Sequence, residues 1–539
     1  MFSLLNFLPS VTTVILTISS LSLYVVYFLK KRYTHWERRG VPHVRPIALF
    51  FGNTKDLALQ RVPNAFVFQR IYNELEGHDF GGFYQMFKPA IMLRDPDLIR
   101  TVLIKNFSQF HDRFSIIDEK LDPLSNHLLN LAGQRWKNVR YKLTPTFSSG
   151  KLKSMQDLMQ GCIHELADYL SRCVSDVQNL RELMAKFTTD VIGSCAFGLN
   201  CNSIRDENSE FRRIGRLIFK PSKRIRIRNM LRSLGPKLIT LLRLKSVHPE
   251  VEDFFMSVLK EAVKYRESSA LKRNDFLQLL INIQTEEKKQ MESNGCHQNV
   301  TSNGVSNGIQ NGNARTATDH PKDILFTDSV VASNAFVFFV AGFETIAMTL
   351  SYCLYELALN PDICEKLKDE VDSVKEAHDG NLDFDSMKEL EYMDAVLAET
   401  LRKYPPASIL IRRCNEAFCV PGTSVVIEEG TGVYVPVYGL HHDPQFFPEP
   451  ERFIPERFSQ ENKHTIVPGS YLPYGDGPRI CIGMRFAQYE MKSVLSYLVS
   501  NFTFHPCERT VVPLNYDPRS GLLTPLDGVW VRLRRRSNP

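Results

Sequence analysis

No charged residue occurs between Met1 and Leu29, a mostly apolar run that ends abruptly in Lys30, Lys31 and Arg32. Arg38 and Arg39 come soon after, with Glu37 the only acid among them. Residues 11–29 alone would reach about 30 Å as a helix, enough to cross a bilayer. Basic residues directly after the apolar run place the rest of the chain on the cytosolic side. A cleaved signal peptide would want a basic residue before the run, a shorter apolar core and a small-residue cleavage site, and none is convincing here. Residues 1–30 therefore read as an uncleaved anchor and residues 31–539 as one body.

Beyond a stiff neck at Gly40-Val41-Pro42 and Arg45-Pro46, apolar residues recur at three- and four-residue spacing over 162–173, 251–267 and 393–404, which predicts helices. Residues 327–359 are apolar almost throughout, with Thr327 or Asp328 as the N-cap. Glu344 near the middle and Glu356 favour a buried central helix over a second membrane span. Strand-like pieces cluster late. Residues 424–427 and 433–437 are expected to form one hairpin, and 511–514 with 529–533 a second. The expected class is mainly α with a minor, segregated β part (α+β). Residues 290–322 repeat Asn-Gly and Ser-Asn-Gly with almost no large apolar side chains, which reads as a flexible surface insertion.

Composition alters this little. A chain of 539 residues that is 43% hydrophobic and 23% charged, with net charge +6, is globular and needs no polyanionic partner. Its 11 cysteines lack paired spacing and fit no zinc framework, in keeping with a reduced, cytosolic body. The sequons at Asn106, Asn299 and Asn501 would then escape glycosylation. Residues 211–249 contain no acid, while Arg212, Arg213, Arg216, Lys220, Lys223, Arg224, Arg226, Arg228, Arg232 and Lys237 interleave with Ile, Leu and Phe. No nucleic-acid reader motif accompanies them. A basic amphipathic stretch against anionic lipid is favoured, with a solvated basic face as the alternative.

The most specific local pattern is Tyr474-Gly475-Asp476-Gly477-Pro478-Arg479-Ile480-Cys481-Ile482-Gly483, followed by an apolar helical stripe at Ala487, Met491, Val494, Leu495 and Leu498. A cysteine in a glycine-rich loop at a helix N-terminus sees exposed N–H groups and the positive dipole end, and with Arg479 nearby these favour thiolate. Gly477 and Gly483, without Cβ, let a bulky flat partner approach the backbone. Such a thiolate suits a nucleophile, a redox thiol or an axial metal ligand, although no histidine base lies within the loop. Glu399 and Arg402, three apart on a helix ended by Pro405-Pro406, face one another, and Arg457 in the Pro-rich segment 453–458 can join them. Within the long apolar helix, Ala341-Gly342-Phe343-Glu344-Thr345 sets two small residues beside an acid–hydroxyl pair. The small residues open room for a ligand, Thr345 can bond back to the Ala341 carbonyl, and acid and hydroxyl can relay protons. The plainer alternative makes Gly342 a packing contact and Thr345 a satisfied core hydroxyl.

In this order, and with Trp136-Lys137-Asn138-Val139-Arg140, these elements resemble the cytochrome P450 family of haem-thiolate monooxygenases over nearly the whole chain. The likeness is greatest to membrane-anchored microsomal members of the insect detoxification type, to which Asp122-Pro123-Leu124-Ser125, residues 143–147, Pro436-Val437-Tyr438 and His442-Asp443-Pro444 are also similar. The resemblance implies haem b with Cys481 as axial iron ligand. It implies that Trp136, Arg140, Arg412 and Arg479, with Arg113 as a further member, hold the propionates. Tyr474, Gly477, Gly483 and Ala341 would border the haem, Glu344 and Thr345 would deliver protons, and Glu399, Arg402 and Arg457 would form a structural triad. The chain departs from the family at Tyr474, where Phe is usual, and at Ile346, where Ser or Thr is common.

The resemblance further implies residence in the endoplasmic reticulum membrane and electrons from NADPH–cytochrome P450 reductase, with cytochrome b5 as a second donor. NADPH would act only through the reductase, since no G-x-G-x-x-G opens a helix after a strand. Residues 114–126, parts of 211–242, 336–343, 407–411 and 522–524 would line a pocket for a lipophilic small molecule such as an insecticide or plant toxin. The alternatives are an endogenous hormone, fatty acid or pheromone as substrate, a haem-thiolate isomerase or hydroperoxide-using enzyme, and a non-catalytic haem- or lipid-binding membrane protein.

Overall fold

The computed structural model describes residues 11–115, 118–173, 176–220, 223–231, 235–269, 273, 275–298 and 326–536. Helix α1 (Val11–Arg32) is the expected apolar segment, and its Ile15, Leu16, Leu21 and Leu23 side chains are exposed. The body is framed by α2 (Gly133–Leu143), α3 (Gln156–Arg172), α4 (Leu180–Ile192), α5 (Glu210–Phe219), α6 (Pro249–Ser269), α7 (Phe276–Gln298), α8 (Asp328–Leu359), α9 (Glu391–Lys403) and α10 (Met484–Asn501). Helices α3, α6 and α9 coincide with the three amphipathic stretches. Helix α7 runs on to Gln298, past the point where the flexible insertion was expected to begin, and residues 299–322 of that insertion lie outside the described residues.

Helix α8 is the hub. Thr327 is its N-cap, the Oγ1 accepting from the Val330 N–H at 3.3 Å. Apolar on every side, α8 needs protein on every side. Burial covers 72% of its most apolar window, against 6% for the N-terminal helix, and this separates two helices that composition alone does not. Helix α4 lies along α8, with Thr188 Oγ1 donating to the Phe343 carbonyl at 2.9 Å. Gly342 permits the approach, since a Cβ there would stand 2.7 Å from Ile192 Cδ1. Across α8, Phe339 meets Phe211 of α5, Phe255 of α6 and Phe343 at ring-centroid distances between 5.1 and 5.9 Å.

Strands occur early as well as late, which corrects the expected late cluster. They are β1 (Phe80–Gln85), β2 (Lys88–Leu93), β3 (Val177–Asn179), β4 (Leu410–Arg413), β5 (Phe418–Cys419), β6 (Val426–Ile427), β7 (Gly432–Val435), β8 (Phe502–His505) and β9 (Trp530–Arg535). The main sheet has the order β1-β2-β7-β4, with β2 and β7 parallel and the other pairs antiparallel. A second sheet is ordered β3-β9-β8, and β5 with β6 forms a short ribbon. Neither expected hairpin forms. Strand β6 pairs with β5, and β7, buried along its whole length, takes the interior place between β2 and β4. Residues 511–514 form no strand, because Pro513 has no N–H for a ladder, and β9 pairs instead with β8. Strand β8 continues from α10 without a turn residue, so its alternation is hidden in the helix pattern.

Candidate active site

The cysteine loop is anchored on a buried ion pair distant in sequence. Arg402 Nε and Nη2 hold the two Glu399 oxygens at 2.7 and 2.8 Å, and neither side chain has exposed surface. Removing one partner would strand a buried charge, so the pair is a fixed point. Arg457 stands 3.5 Å from Glu399, the Ile454 N–H donates to the same carboxylate, and Arg402 also donates to the carbonyls of His441 and Pro450. The expected triad is assembled, and its geometry ties α9 to the Pro-rich segment. His441, to which no sequence motif pointed, carries the tie onward, its Nε2 accepting from the Leu472 N–H at 2.9 Å. Burial keeps this imidazole neutral by lowering it well below its ordinary range.

In the loop itself, Gly477 has φ +68° and a Cβ there would overlap the Leu103 carbonyl oxygen. Glycine is demanded at 477 by the protein's own backbone, not by a flat partner, which corrects that reading. Gly483 is more open, with only the Phe147 ring edge within reach at 3.8 Å. The Cys481 N–H donates to the Tyr474 carbonyl at 3.0 Å. Burial pushes the Cys481 thiol up, while the Gly483 N–H and the charges of Arg140 and Arg113 draw it partly back. Desolvation therefore outweighs the loop's own pull toward thiolate, and the cations acting on the sulfur are not the expected Arg479. Cys481 is nonetheless exposed. A side chain both deep and accessible lines an internal void. The Tyr474 hydroxyl is buried without a partner among the described residues, and burial followed by the Cys481 charge raises its phenol.

Arg113, Arg140, Arg412 and Arg479 converge from separate segments. Burial first, then mutual repulsion, lowers Arg113 to about 10 and Arg412 and Arg479 to about 9. Burial lowers Arg140 as well. Arg479 lies 4.2 Å over the Trp136 ring, donates to the His111 and Leu131 carbonyls, and has Asp112 at 3.8 Å. Arg412 Nε and Arg479 Nη1 remain buried without partners among the described residues. Four crowded cations, two of them with unused buried donors, make a seat for anionic oxygens.

Midway along α8, Val337, Phe338, Val340, Ala341, Gly342 and Thr345 keep some exposure, and of these Phe338, Ala341, Gly342 and Thr345 share one face. Phe147 lies against Phe338 at 5.4 Å between ring centroids and also beside Gly483, so this face and the cysteine loop border the same void. Thr345 Oγ1 donates to the Ala341 carbonyl at 2.6 Å, as the spacing suggested. Glu344 is only 4% exposed and accepts from Arg181 Nη2 at 2.8 Å. Arg181, on α4, carried no local signal in the sequence. The α5 segment packs on α8, Phe219 standing 5.7 Å from the fully buried Phe343.

A family model described as Cytochrome P450 matches residues 42–305 and 310–531. The chain belongs to the cytochrome P450 family. Probable cytochrome P450 6a20 of Drosophila melanogaster is 38% identical over 95% of this chain and 97% of its own length. Cytochrome P450 6j1 of Blattella germanica is 36% identical over 98% of this chain and 99% of its own length. The chain is thus a cytochrome P450 monooxygenase, similar to insect members of group 6. The residues present fit a haem: an accessible cysteine sulfur in the void, and a cationic edge with spare donors for two propionates. Arg113, named last from sequence, is the arginine whose charge acts on both Arg412 and Arg479.

The basic stretch is corrected in part. Arg212 and Arg216 bind Glu182 of α4, Arg213 binds Glu250 of α6, and Arg228 is buried 3.9 Å from Asp122. These four hold helices and loops together; Arg212 and Arg228 are buried, while Arg213 and Arg216 keep half of their side-chain surface exposed. The same region also exposes Ile227, Leu241 and Leu242.

Proposed function

We propose that this cytochrome P450 oxidises lipophilic foreign compounds at the endoplasmic reticulum membrane, with residues 1–30 as anchor and 31–539 as a cytosolic catalytic body. The observation that carries the reading is the partly exposed stretch of α8, where Phe338, Val340 and Ala341 stand near Thr345, backed by buried Phe339 and Phe343 packed against Phe211, Phe219 and Phe255. Such an apolar lining on a rigid aromatic backing offers shape and apolar area with few directional contacts, so it selects lipophilicity over any one functional group.

Haem b, when bound, supplies reductive activation of dioxygen with Cys481 as its thiolate ligand. The propionates fall to Trp136, Arg140, Arg412, Arg479 and Arg113. Tyr474 screens the sulfur from water, and Ala341 and Gly483 leave space beside the ring. Thr345 holds its proton on the Ala341 carbonyl at 2.6 Å and turns it toward the void when needed. Glu344 resupplies that hydroxyl and is linked outward through Arg181, whose side chain is 32% exposed. Electrons come from NADPH through cytochrome P450 reductase, with cytochrome b5 as a second donor. Exposed Lys137 and Arg485, next in sequence to Trp136 and close to Cys481, support docking of an acidic partner. Exposed Ile227, Leu241 and Leu242 support a second contact with lipid.

The test is reconstitution with reductase, NADPH and a panel of lipophilic insecticides and plant toxins. A spin-state shift and oxygenated product that require both NADPH and reductase are expected. Turnover on a hydroperoxide alone, or no spin-state response to any compound, would overturn the reading.

A further inference from the structure

Residues 127–131 wrap the arginine cluster with their backbone. Arg113 Nη1 donates to the Leu129 carbonyl at 3.4 Å and Arg479 Nη2 to the Leu131 carbonyl at 2.8 Å. His127 opens this segment and is 7% exposed. Its tautomer is set by its neighbour. Asn130 Nδ2 stands 3.0 Å from the Ser125 carbonyl, which only accepts, so that atom is the amide nitrogen. The amide oxygen accepts from Ser115 Oγ at 3.1 Å, which agrees. The same NH2 group lies 3.1 Å from His127 Nε2, which is therefore the acceptor and leaves the ring proton on Nδ1. That Nδ1–H is buried with no partner among the described residues. Burial, and then the charge of Arg113, hold the imidazole down to about 3, so the ring stays neutral.

A buried donor left unused is costly, and this one lies close enough to Arg113 to feel its charge. The cationic cluster already repels itself, and a fifth cation would worsen it. A neutral donor adds a hydrogen bond to an anion without adding charge. We propose that His127 Nδ1–H donates to a haem propionate and completes the clamp made by Arg113, Arg140, Arg412 and Arg479. This rests on the haem reading above.

His127→Phe keeps a ring and removes the donor, whereas His127→Asn places an NH2 near the position of Nδ1 and His127→Gln near that of Nε2. Haem-loaded wild type and variants are compared by haem transfer to excess apomyoglobin and by the propionate bending mode in resonance Raman spectra. His127→Phe and His127→Gln are expected to lose haem about tenfold faster, as for one charge-assisted hydrogen bond, and to shift the propionate mode. His127→Asn should stay within about twofold of wild type, the change of donor geometry being small on that scale. If His127→Phe does not fold, the Asn–Gln difference decides alone. Wild-type haem loss and an unmoved propionate mode in His127→Phe and His127→Gln would overturn the proposal, the Nδ1–H then serving bound water. A wild-type chain that takes up no haem would instead overturn the haem reading, and this one with it.

Discussion

Glu344 is a buried carboxylate paired with Arg181 at 2.8 Å. Arg181→Ala should destabilise the protein by about 1–3 kcal/mol, the cost of an unpartnered buried polar group, read as a lowered Tm. The same variant should also yield less product per NADPH consumed, because Glu344 loses the group that fixes its carboxylate beside Thr345. Gly477→Ala should be far more disruptive. Its positive φ and the Leu103 carbonyl leave no place for a Cβ, so little folded protein should be recovered by gel filtration. Residue roles that depend on short spacing were legible in the sequence. Arg402 faces Glu399 across one helical turn, and Thr345 reaches back to Ala341 across another. Arg181, His441 and Asp112 act through contacts far along the chain, and no local pattern announces such partners.

Between elements, α5 is held to α4 by charge. Burial would raise Glu182, but hydrogen bonds and charges from Arg212 and Arg216 bring it from 4.5 down to about 2. A carboxylate lowered on folding stabilises above its unfolded value and loses that contribution as pH falls from 4.5 toward 2. Acid titration of stability should therefore show a steeper decline over this window in wild type than in Glu182→Gln, and equal slopes would contradict the assignment. The amphipathic helices were readable because a buried face repeats with the helix turn. The strand pairings were not, because pairing is decided by tertiary position. Val426–Ile427 and Gly432–Val435 look like neighbours in sequence, yet the fully buried Gly432–Val435 is claimed by Ala90–Met92 on one side and Leu410–Arg413 on the other. The ion pairs within the basic stretch were hidden for a related reason, since composition does not show which arginines find carboxylates in the fold.

For the molecule as a whole, the two long apolar helices differ in kind, since α1 is only 6% buried over its apolar window while α8 is 72% buried. Deletion of residues 1–30 should leave a folded body that still floats with liposomes, and adding Leu241→Ser with Leu242→Ser should release it. Retention of the truncated double variant on liposomes would contradict the second lipid contact. Under the proposed function, Cys481 holds iron as thiolate within a cationic clamp. The most direct measurement of that ligation is the carbon monoxide difference spectrum of the reduced, haem-loaded protein, beside that of Cys481→Ala. The wild type should show the red-shifted Soret band of thiolate-bound haem and the variant should lose it. A wild-type band of the imidazole-bound kind, or an unchanged band in Cys481→Ala, would contradict the account.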